Sequence, residues 1–544
     1  MNSQHRYAIA AWSVVYLLAA AALFAQEPVK ARPAGIPQDW SEHTIAFTFD
    51  GLRQHPEVLY EEPRVMHQVM RRLQGHNSHV ADEIQTGSKT GSKPNGPREP
   101  QLDWSFNFQK GHVAAEMYPA KYSFNPATAS CANDYAVFAL STAGATGGQA
   151  NLVGFNDLYA GSGGICGSAP NVLFAYNVST QTGGKVATSP ILSLDGTKIG
   201  FVESLGTSSI FHVLTWTAHQ GSITDAAAPA AITSLTYSST AGTTSSSPWI
   251  DYNTDTVYVS DDSGILYKIT NVFAGTPTLE GSPWPVTVSS GTQLTPPVLD
   301  KHLGVIMIGA RNGDLYQVDA TSGSVSAMIV GAHGDKNAGL MAPPIVDITN
   351  STTFAVSAND GTSAVVVQAD TTLLTQITKG RIGLGAATGN SVNVFQPALS
   401  NNYYTSPSSG ALYVCGTGAS DSTPWQYSFG FSGRNMNATP AASSQLLTST
   451  AATCTGWTEF FNPNVGGGTD FFFFGLTQDC TGTGTSGCVA EITTTNSTPV
   501  TTAVDGGPSG IVVDNYNTSP QASSLYLSAQ KVNEAYKFTQ NGLN

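Results

Sequence analysis

One short pattern recurs along the chain and limits what it can fold into: a proline, two mostly apolar residues, then Asp or Ser. It stands at Pro190-Ile-Leu-Ser193, Pro248-Trp-Ile-Asp251, Pro297-Val-Leu-Asp300, Pro344-Ile-Val-Asp347, Pro397-Ala-Leu-Ser400 and Pro440-Ala-Ala-Ser443. Weaker copies at Pro119-Ala-Lys-Tyr122 and Ile511-Val-Val-Asp514 bring the number to eight, spaced roughly 43 to 71 residues apart. Repeats of this length suit the four-stranded blade of a β-propeller, in which each unit buries its faces only against its neighbours. The expected fold is therefore all-β, a single eight-bladed propeller over residues 103–544. Seven blades is the alternative, should the long first or last repeat be mostly insertion.

Two further strands recur after each opening. The first is an apolar run such as Thr256-Val-Tyr-Val-Ser260 or Val305-Ile-Met-Ile-Gly309. The second follows a glycine turn, as in Gly264-Ile-Leu-Tyr-Lys-Ile269 and Gly313-Asp-Leu-Tyr-Gln-Val318, with the alternation of a half-buried strand. Fourth strands are less regular, and Thr423-Pro-Trp-Gln-Tyr-Ser-Phe429 has the aromatic pattern expected of an inner or outer strand packed between blades. The last repeat ends at Glu534-Ala-Tyr-Lys-Phe538, six residues before the end of the sequence, with no room for a fourth strand. Asp103-Trp-Ser-Phe-Asn-Phe108 can supply it. Joining the ends in this way removes the open sheet edges that invite aggregation.

Composition agrees with an all-β reading: charged residues are 11% of the 544, and there are 55 glycines. With a net charge of -14 and no Lys/Arg run after residue 73, the chain lacks the electrostatic footprint of a nucleic-acid or anionic-lipid binder. Arg6, the apolar run from Ala8 to Phe24 and the step Ala25-Gln26-Glu27-Pro28 read as a signal peptide over 1–25, with an uncleaved N-terminal anchor as the alternative. The expected location is periplasmic or extracellular. Residues 26–84 form an extension rich in Arg and His, and a short helix begins at Pro63, where Val65, Val69 and Leu73 share helical spacing. Trp40, Phe47, Phe49 and Tyr60 give residues 39–74 too much apolar surface for a solvated tail, so the segment should pack on the propeller or on a partner. The Gly/Ser/Lys/Pro-rich stretch over residues 85–102 reads as a flexible linker.

Six cysteines in an exported chain point to three disulfides, with 15 possible pairings. Proximity suggests Cys131 with Cys166, Cys480 with Cys488, and Cys415 with Cys454. No Cys-x-x-Cys or adjacent pair is present, so the sulfurs read as structural.

The segment Gly313-Asp-Leu-Tyr-Gln-Val-Asp-Ala-Thr-Ser-Gly323 resembles the blade motif of the PQQ-like, or quinoprotein-dehydrogenase-like, propeller superfamily. That resemblance implies the fold, and it covers true dehydrogenases as well as non-catalytic scaffolds. A dehydrogenase of this kind would need PQQ, a Ca²⁺ held by carboxylate and amide oxygens, and a catalytic Asp. The adjacent-cysteine disulfide common in those enzymes is missing here. Asp251-Tyr-Asn253-Thr-Asp255 has the alternating oxygens of a Ca²⁺ loop, although Asp and Asn are also ordinary hairpin residues. His67, His76, His79, His112, His212, His219, His302 and His333 show no helix-face pairing with a general-base Glu and read as loop histidines. No Gly-x-Ser-x-Gly elbow or phosphate-binding loop occurs. Asn-x-Ser/Thr triplets begin at Asn177, Asn350, Asn437, Asn496 and Asn517, as a Ser/Thr-rich chain generates by composition.

With no convergent catalytic set, the expected function is that of an exported non-enzymatic propeller, a binding or scaffold module for a protein or glycan through loops on one face. The alternative is a PQQ- and Ca-dependent dehydrogenase.

Overall fold

In the computed structural model, Asp251, Asp300 and Asp347 each close an opening and fold their own turn. Asp347 Oδ1 accepts from the backbone N–H groups of Thr349 and Asn350, both at 3.0 Å, and Asp300 Oδ1 accepts from Leu303 N–H at 3.0 Å. Each carboxylate thus satisfies the backbone of the hairpin leading to the next strand. The glycine of Gly-x-Leu-Tyr is equally constrained. Gly264 and Gly313 have φ of 90° and 92°, and a Cβ on Gly264 would lie 1.7 Å from Ser289 O. Only glycine fits there.

The structure describes residues 35–38, 43–74 and 99–540, apart from 127, 182, 205–207, 335–338, 389–392, 464, 466, 481–485 and 516–520. The leader at 1–25, Trp40, His76, His79 and nearly all of the linker lie outside them.

Eight sheets succeed one another along the chain, each built on a four-stranded antiparallel meander. Their first, innermost strands are Ala120–Ser123, Ile191–Leu192, Trp249–Asp251, Val298–Asp300, Ile345–Asp347, Ala398–Leu399, Thr458–Asn462 and Val512–Asn515. We number the blades 1 to 8 in that order. Blade 4 shows the pattern: Val298–Asp300, Val305–Gly309, Asp314–Asp319 and Val325–Ile329 pair in sequence. Seven of the eight expected openings begin blades. Pro440-Ala-Ala-Ser443 does not: it runs into an outer strand of blade 6, Ala442–Gln445. Blade 7 instead opens at Thr458–Asn462 with no proline, because Gly456 and Trp457 bring the chain in. The aromatic run at 424–432 is the third strand of blade 6.

The ring closes as the aromatic segment before the first repeat suggested. Strand β3, Gln101–Asn107, pairs antiparallel with Glu534–Thr539 and completes blade 8, with Phe106 opposite Ala535 and Asn107 opposite Glu534. (β1 and β2, upstream, are Ile36–Gln38 and Ile45–Ala46.) Trp104 Nε1–H donates to Leu158 O at 3.0 Å, and Phe106 lies 4.7 Å from Phe155 in blade 1. The closing strand therefore seals two blades at once. The Asp103 carboxylate accepts from buried Lys537 Nζ and from Thr539 Oγ1, both at 2.5 Å.

The cysteines pair 131 with 166, 415 with 454 and 480 with 488. The first joins two loops at one end of blade 1 and the last lies within blade 7. Cys415–Cys454 ties the second strand of blade 6 to the connection entering blade 7. Four α-helices, α1 Phe49–Gln54, α2 Val58–Glu61, α3 Pro63–Gln74 and α4 Asn401–Thr405, and two short 3-10 turns complete the described elements.

Candidate functional site: a channel with one sealed mouth

A meander places its turns alternately at the two ends of the blade. Turns from first to second and from third to fourth strand lie on one face of the ring, the hairpin face. Second-to-third turns and the connections between blades lie on the other. The N-terminal segment makes these faces unlike.

Strand β1 pairs with the innermost strand of blade 1, Pro37 opposite Tyr122. A few residues later β2 runs parallel to the innermost strand of blade 5, Ile45 opposite Val346. Blades 1 and 5 face each other in a ring of eight, so the chain crosses the channel. Thr48 then anchors α1: its N–H donates to Thr349 Oγ1 at 2.8 Å in the first turn of blade 5, and its own Oγ1 caps the helix by accepting from Gly51 N–H at 3.1 Å. Phe47, Val58 and Val65 are fully buried against the ring.

Helix α3 makes a second crossing, from blade 3 to blade 7. At its start the Arg64 guanidinium lies 3.9 Å over the Trp249 ring, donates to Ile250 O at 3.0 Å and pairs with Glu62 at 2.9 Å. At its end Arg72 binds Glu459 of blade 7 in a fork, 3.0 and 2.7 Å. It also donates to Asn401 Oδ1 at 2.5 Å and lies 3.8 Å over the Tyr404 ring. Both arginines are buried, and each is tolerated there because a carboxylate balances its charge, Glu62 for Arg64 and Glu459 for Arg72. Burial lowers Arg71 to about 10, offset in part by Glu459. Asp470, buried and beside Glu459, is held well above the usual carboxylate range. Burial also pushes His43 down to about 3 and His67 well below its usual range, so the plug carries two neutral imidazoles. Residues 35–38 and 43–74 thus plug the hairpin-face mouth. The sequence indicated that this segment packs; it left open against what.

The opposite mouth is a funnel of about 220 Å³. Six inter-blade connections converge on it and contribute Glu116, Thr188, Ser245, Gln293, Leu340 and Phe395, while the second-to-third turn of blade 4 adds Arg311. Glu116 accepts from Gly456 N–H at 3.1 Å and holds a left-handed backbone, φ 57°. Arg311 is half-buried and makes no ion pair among the described residues. Burial lowers its pKa, and nearby Asp262 partly restores it.

The calcium-loop candidates lie elsewhere, in the first hairpin of blade 3. Asp251 accepts from Asn253 N–H, Thr254 Oγ1 and Lys301 Nζ. Asn253 donates its amide to Glu61 O at 2.7 Å, and Asp255 accepts from Phe273 and Ala274 N–H, each at 2.8 Å. The three side chains serve three different contacts, one of them to the plug.

The ring is shared with solved propellers. The chain matches the Dos1 propeller at 11% identity and a TM-score of 0.51, covering 81% of this chain and 95% of that one. It also matches BamB from Moraxella catarrhalis at 12% identity and a TM-score of 0.44, covering 81% and 98%. At such identities the likeness speaks for the fold alone. No protein-family model matches the chain, and no curated protein matches its sequence. No helix among the described residues is long and apolar enough to cross a membrane.

Proposed function

We propose that this chain is an exported, non-enzymatic binding module that takes a carboxylate-bearing segment of a protein partner into its open funnel. The observation that carries the reading is the asymmetry of the channel: one mouth is filled by the chain's own plug, and the other presents Arg311 within a ring of hydroxyl and amide side chains. A half-buried guanidinium that makes no ion pair among the described residues is a ready partner for a carboxylate, which it can bind through two parallel hydrogen bonds. Leu340 and Phe395 offer apolar contact beside it. The three disulfides suit an oxidising compartment.

The quinone-dehydrogenase alternative needs a cluster of oxygen ligands for Ca²⁺, typically six to eight. Glu116 is the sole carboxylate lining the funnel among the described residues, and it is engaged with Gly456. Below it the axis is taken by the plug. That donor set favours the binding reading.

The test is an array of acidic, neutral and basic peptides, with glycans alongside, probed with wild type and with Arg311→Glu. Wild type should retain acidic peptides, and the variant should lose them. Acidic-peptide binding that survives Arg311→Glu, or preference for glycans, overturns the proposal. An absorbing quinone with stoichiometric Ca²⁺ after incubation with both would favour the enzyme.

A further inference from the structure

On the hairpin face, far from the funnel, the junction between α1 and α2 lies over the first turn of blade 4. His55 Nδ1 stands 3.2 Å from Glu57 Oε1, and His302 Nδ1 stands 4.0 Å from the same oxygen. The two imidazole centroids are 4.4 Å apart, and one donor atom from each of the three residues lies within 4.8 Å of the others. We propose that His55, Glu57 and His302 bind one divalent transition-metal ion of the zinc class, and that this ion staples the plug to the ring.

The chemistry of the donors selects the ion. Two imidazoles and one carboxylate suit Zn²⁺ and its neighbours, whereas Ca²⁺ and Mg²⁺ take oxygen ligands. Zn–N and Zn–O bonds of about 2.0–2.2 Å at tetrahedral angles set donors about 3.3 Å apart. The His55–Glu57 pair already has that spacing. His302 stands 4.0 Å from Glu57 and within 4.8 Å of His55, so it must approach by up to about 1.5 Å, and its exposed side chain can do so by rotating about its own torsions. The fourth position faces solvent and is left to water.

Backbone on both sides is fixed before any ion arrives. His55 ends α1 with its N–H on Gly51 O at 2.8 Å, Pro56 restricts the step to Glu57, and Glu57 begins α2. His302 sits inside the turn closed by Gly304 N–H on Asp300 O at 2.8 Å and by Leu303 N–H on the Asp300 carboxylate at 3.0 Å. The adjacent cation, Lys301, is neutralised by Asp251. Two ligands therefore come from the plug and one from the ring, which is the arrangement that lets an ion hold the two together.

The experiment uses the full chain without an affinity tag, stripped with chelator and titrated with ZnCl₂ alone, then with CoCl₂. Wild type should take up one equivalent and show the visible bands of four-coordinate Co²⁺. Zn²⁺ at 100 times its Kd should slow amide exchange across residues 49–61 by up to about 100-fold. His55→Ala and His302→Ala should each lose the equivalent and the slowing, with unchanged far-ultraviolet circular dichroism. Glu57→Gln, a near-isosteric change at an exposed position, should weaken binding tenfold or more. A wild type that takes up no equivalent, or histidine variants that retain it, overturns the proposal.

Discussion

Removing Arg72 should loosen the plug and leave the ring standing. Arg72→Met deletes the fork to Glu459, the bond to Asn401 and the contact with Tyr404, and it leaves the Glu459 carboxylate buried next to Asp470. Breaking a buried ion pair from one side costs about 3–5 kcal/mol, most of it the stranded charge. At about 1.4 kcal/mol per decade, amide exchange of α3 should accelerate by roughly two to three and a half orders of magnitude if α3 opens by plug release. The strands of blades 2 and 3, which do not touch Arg72, should exchange as before. Arg72→Met with Glu459→Met should recover most of the loss, because it removes both charges and keeps the volume. Hydrogen exchange read by mass spectrometry reports each segment separately. Unchanged α3 exchange in the single variant, or equal acceleration throughout the ring, would refute the reasoning.

Acid should unseat the plug. Above pH 6.5 His43 and His67 are neutral whether seated or released. Below it the released plug takes up protons that the seated one refuses, so seating weakens by up to about 1.4 kcal/mol per histidine per pH unit, until the seated pKa of about 3 for His43. Asp470, raised when buried, opposes this with a similar slope below its raised pKa and down to 3.8. Two histidines outweigh one carboxylate, and α3 exchange corrected for its intrinsic rate should be faster at pH 5.5 than at pH 7. Trp104→Ala should cost about 3–5 kcal/mol and lower the thermal midpoint, since it empties the seam between blades 8 and 1; an unchanged midpoint counts against strand closure. Thiol titration of denatured, unreduced protein should find no thiols, and replacing Cys415 and Cys454 with Ser should lower stability by about 2–5 kcal/mol. Gly264→Ala should destabilise by at least about 2 kcal/mol, as its Cβ would meet Ser289 O; a neutral effect would place that turn differently.

The ring was legible in the sequence because its signals are local. The Asp that closes the openings of blades 3, 4 and 5 bonds within four residues, the glycine of Gly-x-Leu-Tyr answers to its own φ, and β3 carries its aromatic alternation openly. Blade 7 was misplaced because Gly456-Trp457 replaces the proline, whereas Pro440 copies the motif in an outer strand. The site was hidden for the opposite reason. Arg72 and Glu459, Arg64 and Ile250, and His55 and His302 meet across 186 residues or more, and no spacing rule links them. One trace was available: basic residues gather before residue 73 in an otherwise acidic chain, as a segment needs if it is to insert charged ends into a closed ring. Nothing marked Arg311, which is a single arginine in a turn until eight blades bring the inter-blade connections around it.

The central claim is that the two faces differ, one sealed by the plug and one receptive. An acidic peptide retained on the array, added in excess to wild type, should leave a footprint in hydrogen exchange. The account predicts protection in the connections 108–119, 288–297 and 330–344 and in the turn at Arg311, with residues 49–61 and the first hairpins of blades 3 to 6 unchanged. Protection confined to the hairpin face, or release of α3 when the peptide binds, would contradict it.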